Sequence, residues 1–237
     1  GETGEFSSLL ERIGIPQTSC SSKICKLTFD KHEYIKFINS LNIKTAKQFF
    51  IKKGDIYNID DIIEKMGIPC FVKPNKSGSS FGISKVTSKD DLNEKIHYAF
   101  QEGDEVLVES FLDGKEVSVG VINIDGKRII LPITEIISKN EFFDFDAKYN
   151  GESEEITPGV LSTNELDDIH IMINTIYDNI NLSGITRSEI ILVHGVPHLL
   201  ETNTIPGFTK QSIVPQQIKA AGLSINQIVE SQIKSLL

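Results

Sequence analysis

The sequence predicts a mixed α/β fold, and three observations carry that reading. Apolar residues recur at helical spacing in stretches that open on a capping residue, Asp30, Ser162 and Ser224 among them. Short β-branched runs end at turn signals: residues 185–193 and 199–203 flank His194, Gly195 and Pro197, and Asp125-Gly126 separates two more. Helix-like and strand-like segments alternate along the chain, as they do where helices cover a sheet.

Taken in order, residues 6–13 read as a helix that stops at Gly14, before Ile15 and Pro16 turn the chain. A single such helix cannot bury its own apolar face. A second helix starts from Asp30 and puts Lys31 in its first turn, where free N–H groups favour an anion. Lysines there are usually solvated, so Lys31 alone is a weak signal. A strand at 47–51, a short helix at 59–66 and a strand at 70–73 follow. Residues 73–82 then carry Lys73, Lys76, Gly78, Ser79, Ser80 and Gly82 toward a strand at 83–86. The glycines permit close backbone approach to a phosphate, and the hydroxyls and lysines add donors and charge. The loop has neither Walker A nor GxGxxG spacing, and a bare Gly/Ser loop is more often a flexible hairpin turn.

A helix at 89–100 starts from Ser88 with Asp91 in a capping-box-like position. Glu109 ends an apolar strand, and Glu116 begins the next, which runs to residue 124 and returns over 128–132. Residues 138–158 show no clear period and are rich in charge, which predicts a long loop of the kind that serves as a lid. A long amphipathic helix over 164–181 and a last one after Ser224 complete the chain.

Composition bounds the function. The chain has 237 residues, enough for a sizeable core in one large or two small domains. A net charge of -9 with no lysine-rich stripe argues against a nucleic-acid partner. No apolar run approaches the ~18 residues of a membrane span, so the expectation is a cytoplasmic protein with no membrane partner. Cys20, Cys25 and Cys70 show no CxxC pair and read as reduced thiols, and the five histidines show no metal-ligand spacing.

The most informative stretch is 199–212 together with the strand-like run before it. If 185–193 and 199–203 pair as a hairpin centred on Gly195, Glu189 falls opposite Glu201 and Arg187 opposite Asn203. Facing carboxylates destabilise a sheet unless something neutralises them, and a hard cation shared with substrate phosphates does so. A solvated hairpin face accounts equally well for any one carboxylate pair. Asn203, Arg187 and the Pro206-Gly207 loop with its hydroxyls favour a metal–phosphate site.

Five segments in order carry a resemblance: Lys73-Pro with Gly78-Ser-Ser-Phe-Gly82; Glu109 with Gly114-Lys-Glu116; Asp146-Ala-Lys-Tyr149; Arg187-Ser-Glu189; and residues 201–209. Together the chain resembles the D-alanine–D-alanine ligase family of the ATP-grasp superfamily, from about Gly1 to Leu237. Each motif is weakly specific, the ordered set highly so. The resemblance implies an ATP-grasp fold, in which two α+β subdomains, 29–116 and 117–237, grip ATP. A lid would span about 138–158. Residues 1–28 would be the remnant of an N-terminal α/β domain, because Gly1-Glu-Thr-Gly-Glu5 resembles a GxxGE segment that lies inside that domain in the family.

The resemblance also implies roles. Lys31 and Lys73 would hold the ATP phosphates, Ser79 and Ser80 would cover them, and Lys148 would reach the γ-phosphate from the lid. Glu109 would lie at the adenine and Glu116 at the ribose. Glu189, Glu201 and Asn203 would carry two magnesium ions, with manganese as a substitute. Arg187 and the Gly207 N–H would stabilise an oxyanion. Tyr149, Ser212 and Ile213 would shape the site of the second D-amino acid, and Tyr149 favours D-alanine over D-lactate there. The implied product is D-alanyl-D-alanine, made through an acyl phosphate for peptidoglycan synthesis, with a homodimer as the implied assembly. Two departures stand out: Glu189 replaces a usual aspartate, and Ser110 follows Glu109 where lysine is common. The other readings are a carboxylate–amine ligase for another substrate and an ATP-binding relative with impaired catalysis.

Overall fold

The computed structural model describes residues 1–78, 81–138 and 153–237. Two antiparallel sheets dominate it. The first has the order β1-β4-β2-β3, from β1 (Gln48–Lys52), β2 (Cys70–Pro74), β3 (Ser84–Val86) and β4 (Glu105–Ser110). Two helices cover it, α4 (Ile59–Met66) and α5 (Lys89–Ala99), and Ile62, Leu92 and Ile96 meet Val72, Val106 and Val108 in its core.

The second sheet has the order β10-β9-β5-β7-β8, with β6 (Lys127–Ile130) paired to β5. Its strands are β5 (Lys115–Ile124), β7 (Thr134–Ser138), β8 (Ser153–Ile156), β9 (Ile185–Val193) and β10 (Val196–Asn203). On one face lies α6 (Thr163–Ile180), which packs Ile169, Ile173 and Ile176 against Val117, Val119 and Ile190. The same core takes in α2 (Ser22–Phe29) and α3 (Lys31–Ser40) through Cys25, Tyr34 and Ile38, while α1 (Glu5–Arg12) leans on α2. The opposite face holds α7 (Ile213–Ala220) and α8 (Ile225–Lys234), which bury Val214, Ile218 and Ile228 with Ile122 and Leu131.

The caps follow the sequence closely. The Asp30 carboxylate accepts from Glu33 N–H at 3.2 Å, and Ser162 with Glu165, like Ser224 with Gln227, forms a reciprocal capping box. At α5 the Ser88 hydroxyl instead accepts from Asp90 N–H. Three elements depart from expectation. Residues 153–156, inside the stretch read as a loop, form a strand because β7 offers them an edge. Helix α2 lacks a side-chain cap and buries only Cys25 and Thr28 among its residues. Helix α7 starts straight after the 205–212 loop on two β-branched residues and Pro215, which obscures it in the sequence.

Gly120 lets α7 sit where it does. A Cβ built on it would collide with the Oε1 of the fully buried Gln217, whose Nε2 donates to Ser118 O at 2.8 Å and Thr134 Oγ1 at 3.0 Å. Gly120→Ala is therefore expected to cost about 1–3 kcal/mol of unfolding free energy, as overpacked cores do, with little change in the urea m-value. Equilibrium urea unfolding measures it.

Candidate active site

The hairpin of β9 and β10 sets the centre of the site. Its loop is two residues, His194 and Gly195, both at positive φ (51° and 80°), the backbone of a type I′ turn. That turn pairs Val196 with Val193 and Leu199 with Ile190. Continued unbroken, the register would set Glu201 opposite Ser188. A bulge at Leu200 inserts one residue, and beyond it Glu201 faces Glu189 and Asn203 faces Arg187. The expected pairing holds at the carboxylates, but a tighter turn plus a bulge produces it, where the sequence suggested one wider turn.

On the core side of this hairpin, Ser188 and Thr202 share a hydrogen bond at 2.9 Å, and Tyr34 of α3 donates to Thr202 Oγ1 at 2.6 Å. On the open side, the Arg187 Nε donates to Glu189 Oε1 at 2.6 Å. Glu189 is buried, and its Oε2 has no hydrogen-bond partner. A buried carboxylate oxygen left unpaired is costly, and a bound cation could pair with it. Glu201 lies 3.9 Å from the ammonium of Lys31. The Asn203 Oδ1 accepts from Ile205 N–H at 2.8 Å, and its Nδ2 donates to Glu2 at 2.9 Å. Among the described residues no group of three or more His, Cys, Asp or Glu could hold a metal. Two carboxylates and an amide form a sparse donor set, which suits magnesium, an ion that keeps waters and shares substrate phosphates.

These side chains line one cavity of about 970 Å³ between the two sheets, large enough for a nucleotide and a second small molecule. Every expected site residue within the described set faces it: Lys31, Lys73, Glu109, Glu116, Arg187, Glu189, Glu201, Asn203, Gly207, Ser212 and Ile213. Ser79, Ser80, Lys148 and Tyr149 lie outside the described residues. Lys73 pairs with Glu109 at 2.6 Å, both buried, and Lys31 donates to Ser77 O at 2.7 Å beside Gly78. At the other end Ser212, the N-cap of α7, turns its hydroxyl back to the 209 peptide, accepting from Thr209 N–H at 3.1 Å.

The electrostatics follow from burial and neighbours. Burial holds the Lys31 ammonium below its ordinary pKa, opposed by Glu201 and reinforced by Lys73. The Glu189 carboxylate raises that of Arg187. Burial raises Glu155 of β8, while Gln216 and Arg187 pull it down and Glu189 pushes it further up.

Several lining or supporting residues escape sequence reasoning. Gln48 donates to the Glu109 Oε1 at 2.8 Å, since β1 pairs it directly opposite Glu109. Glu155, which accepts from Gln216 at 2.8 Å, and Glu2 also line the cavity. Only strand pairings between distant segments reveal Gln48, while Glu155 sits on a strand that showed no period.

Known proteins agree with this architecture. A family model described as D-ala D-ala ligase C-terminus matches residues 37–234. The chain is 47% identical over 234 residues to a D-alanine–D-alanine ligase of Flavobacterium johnsoniae, covering 99% of this chain and 72% of that protein. It is likewise 47% identical over 240 residues to one from Christiangramia forsetii, covering 73% of it. Among solved structures, the VanG D-Ala:D-Ser ligase from Enterococcus faecalis superposes with a TM-score of 0.89 at 32% identity, over the whole of this chain and 70% of that one. D-alanyl-alanine synthetase A from Vibrio cholerae gives 0.90 at 26%, over the whole of this chain and 73% of that one.

Gln48→Leu keeps the bulk and removes the donor, leaving the buried Glu109 oxygen unpaired. The expected loss is about 1–3 kcal/mol of stability, read by urea unfolding.

Proposed function

The chain belongs to the D-alanine–D-alanine ligase family, with its ATP-grasp fold, and from that membership we propose that it joins two D-alanines at the expense of ATP. The product is D-alanyl-D-alanine, a peptidoglycan precursor. The observation that carries the reading is the acid pair Glu189 and Glu201, facing across the bulged hairpin with one buried oxygen unpaired and Arg187 and Lys31 beside it.

In this reading the carboxylate of one D-alanine attacks the γ-phosphorus of ATP, and ADP leaves. The amine of the second D-alanine then attacks the acyl-phosphate carbonyl. Inorganic phosphate departs, and the nitrogen releases a proton. Phosphoryl transfer calls for positioning and positive charge more than for covalent help. Lys31 and Lys73 hold the phosphates, and Glu109 and Gln48 fix Lys73 through the paired carboxylate. Glu189, Glu201 and Asn203 would hold two magnesium ions, which would supply positive charge against the negative charge developing on the phosphates. Arg187 and the Gly207 N–H stabilise the oxyanion formed at the carbonyl. Ser212 and Ile213 at the start of α7 orient the second D-alanine. The family resemblance would give Lys148, Tyr149, Ser79 and Ser80 the task of keeping water from the acyl phosphate.

Three outcomes test the proposal. Phosphate release from ATP should depend on D-alanine and match the yield of D-alanyl-D-alanine by mass spectrometry. Release matched only by a product with D-serine or another acceptor would replace the substrate assignment. Arg187→Ala should lower kcat by about 10²–10³, the usual effect of an oxyanion donor.

The third outcome concerns pH. A phosphate needs the charged form of Lys31, whose pKa is held below the ordinary lysine value of 10.5. Below that lowered pKa the ammonium is present and binds; above it the amine is neutral and the contact is lost. ATP affinity, followed by titration calorimetry, should therefore fall before pH 10.5, and Lys31→Arg should shift the fall upward.

A further inference from the structure

Asn75 has no part in the scheme above, yet it is 1% exposed and fully hydrogen-bonded. It follows Pro74 at the end of β2. Its Oδ1 accepts from His32 N–H at 2.8 Å, and its main-chain oxygen accepts from Lys31 N–H at 3.4 Å. Its Nδ2 donates to Asp30 Oδ1 at 2.9 Å and to Glu105 Oε2 at 2.8 Å, and its N–H donates to Glu105 O at 2.8 Å. One residue thus grips the N-cap and first two residues of α3 and, on its other side, the first residue of β4. Lys76 closes the ring from outside, 3.1 Å from Asp30 and 2.8 Å from Glu105.

The grip joins two separately packed bodies. Helix α3 belongs to the core of the six-stranded sheet through Tyr34 and Ile38, whereas β2 and β4 belong to that of the four-stranded sheet. Both bodies send lysines into the cavity, among them Lys31 from α3 and Lys73 from β2. Only an amide offers an acceptor to the His32 N–H and two donors to two carboxylates. An aspartate would bring a third negative charge against Asp30 and Glu105, and an apolar residue would leave the His32 N–H without its acceptor and take one donor each from Asp30 and Glu105.

We infer that Asn75 is a positioning residue for phosphate binding: it holds the first turn of α3, and with it Lys31, in register with Lys73 and Ser77. The inference rests on Lys31 holding the ATP phosphates. Lys31 is buried and donates to Ser77 O, so a shift of its turn passes directly to its ammonium. A misplacement of ~1 Å is enough to cost about 10²-fold in such a site.

The test is a double-mutant cycle on the full-length protein, reading D-alanine-dependent phosphate release for Asn75→Asp, Lys31→Ala and the pair. Asn75→Asp should raise the KM for ATP about tenfold or more and leave that for D-alanine within about twofold. On the Lys31→Ala background it should add less than about twofold, because both changes remove one contact. If Lys31→Ala leaves the KM for ATP unchanged, the phosphate role of Lys31 fails and the inference falls with it. If Lys31→Ala raises that KM while Asn75→Asp does nothing, or multiplies it independently, the positioning role alone is overturned. Should Asn75→Asp not fold, Asn75→Ser, which adds no charge, is read in the same cycle with the same outcomes.

Discussion

Glu189 opposite Glu201 is the constraint on which the rest of the structure depends. Two like charges side by side on a sheet repel, and three neighbours answer that repulsion. Arg187 takes one oxygen of Glu189, Lys31 stands 3.9 Å from Glu201, and Asn203 adds an amide in place of a third charge. One buried oxygen remains without a protein partner. In the proposed function a cation and its phosphates answer the charge that the hairpin itself leaves uncompensated.

The two sheets divide the remaining work. The six-stranded sheet carries the acid pair, Arg187 and, through the room left at Gly120, the start of α7. The four-stranded sheet brings Lys73, held by Glu109, which in turn accepts from Gln48. Lys31 belongs to the first body yet reaches the second at Ser77, and Asn75 locks that crossing. The positive charge in the cavity is thus split between two bodies, so its geometry depends on how they meet.

Much of this was legible in the sequence. Period-two alternation put Arg187 and Glu189 on one face of their strand and Glu201 and Asn203 on one face of theirs, and capping residues marked α3, α6 and α8. What was hidden has physical reasons. The bulge sits at Leu200 beside Leu199, two identical residues with no local mark of which one goes unpaired. Strand β8 is acidic and exists because β7 offers an edge. Gln48 meets Glu109 across a pairing of strands 61 residues apart in sequence, and Asn75 acquires its meaning only when α3 and β4 close on it.

In the proposed function the bulge-registered acid pair holds the divalent cation. The most direct measurement is anomalous diffraction at the manganese edge from crystals of the full-length protein grown with Mn²⁺ and a non-hydrolysable ATP analogue. Peaks bound by the carboxylates of Glu189 and Glu201 are expected, with Asn203 and the analogue's phosphates completing the shell. Manganese held on the phosphates alone, with Glu189 still paired only to Arg187, would contradict it.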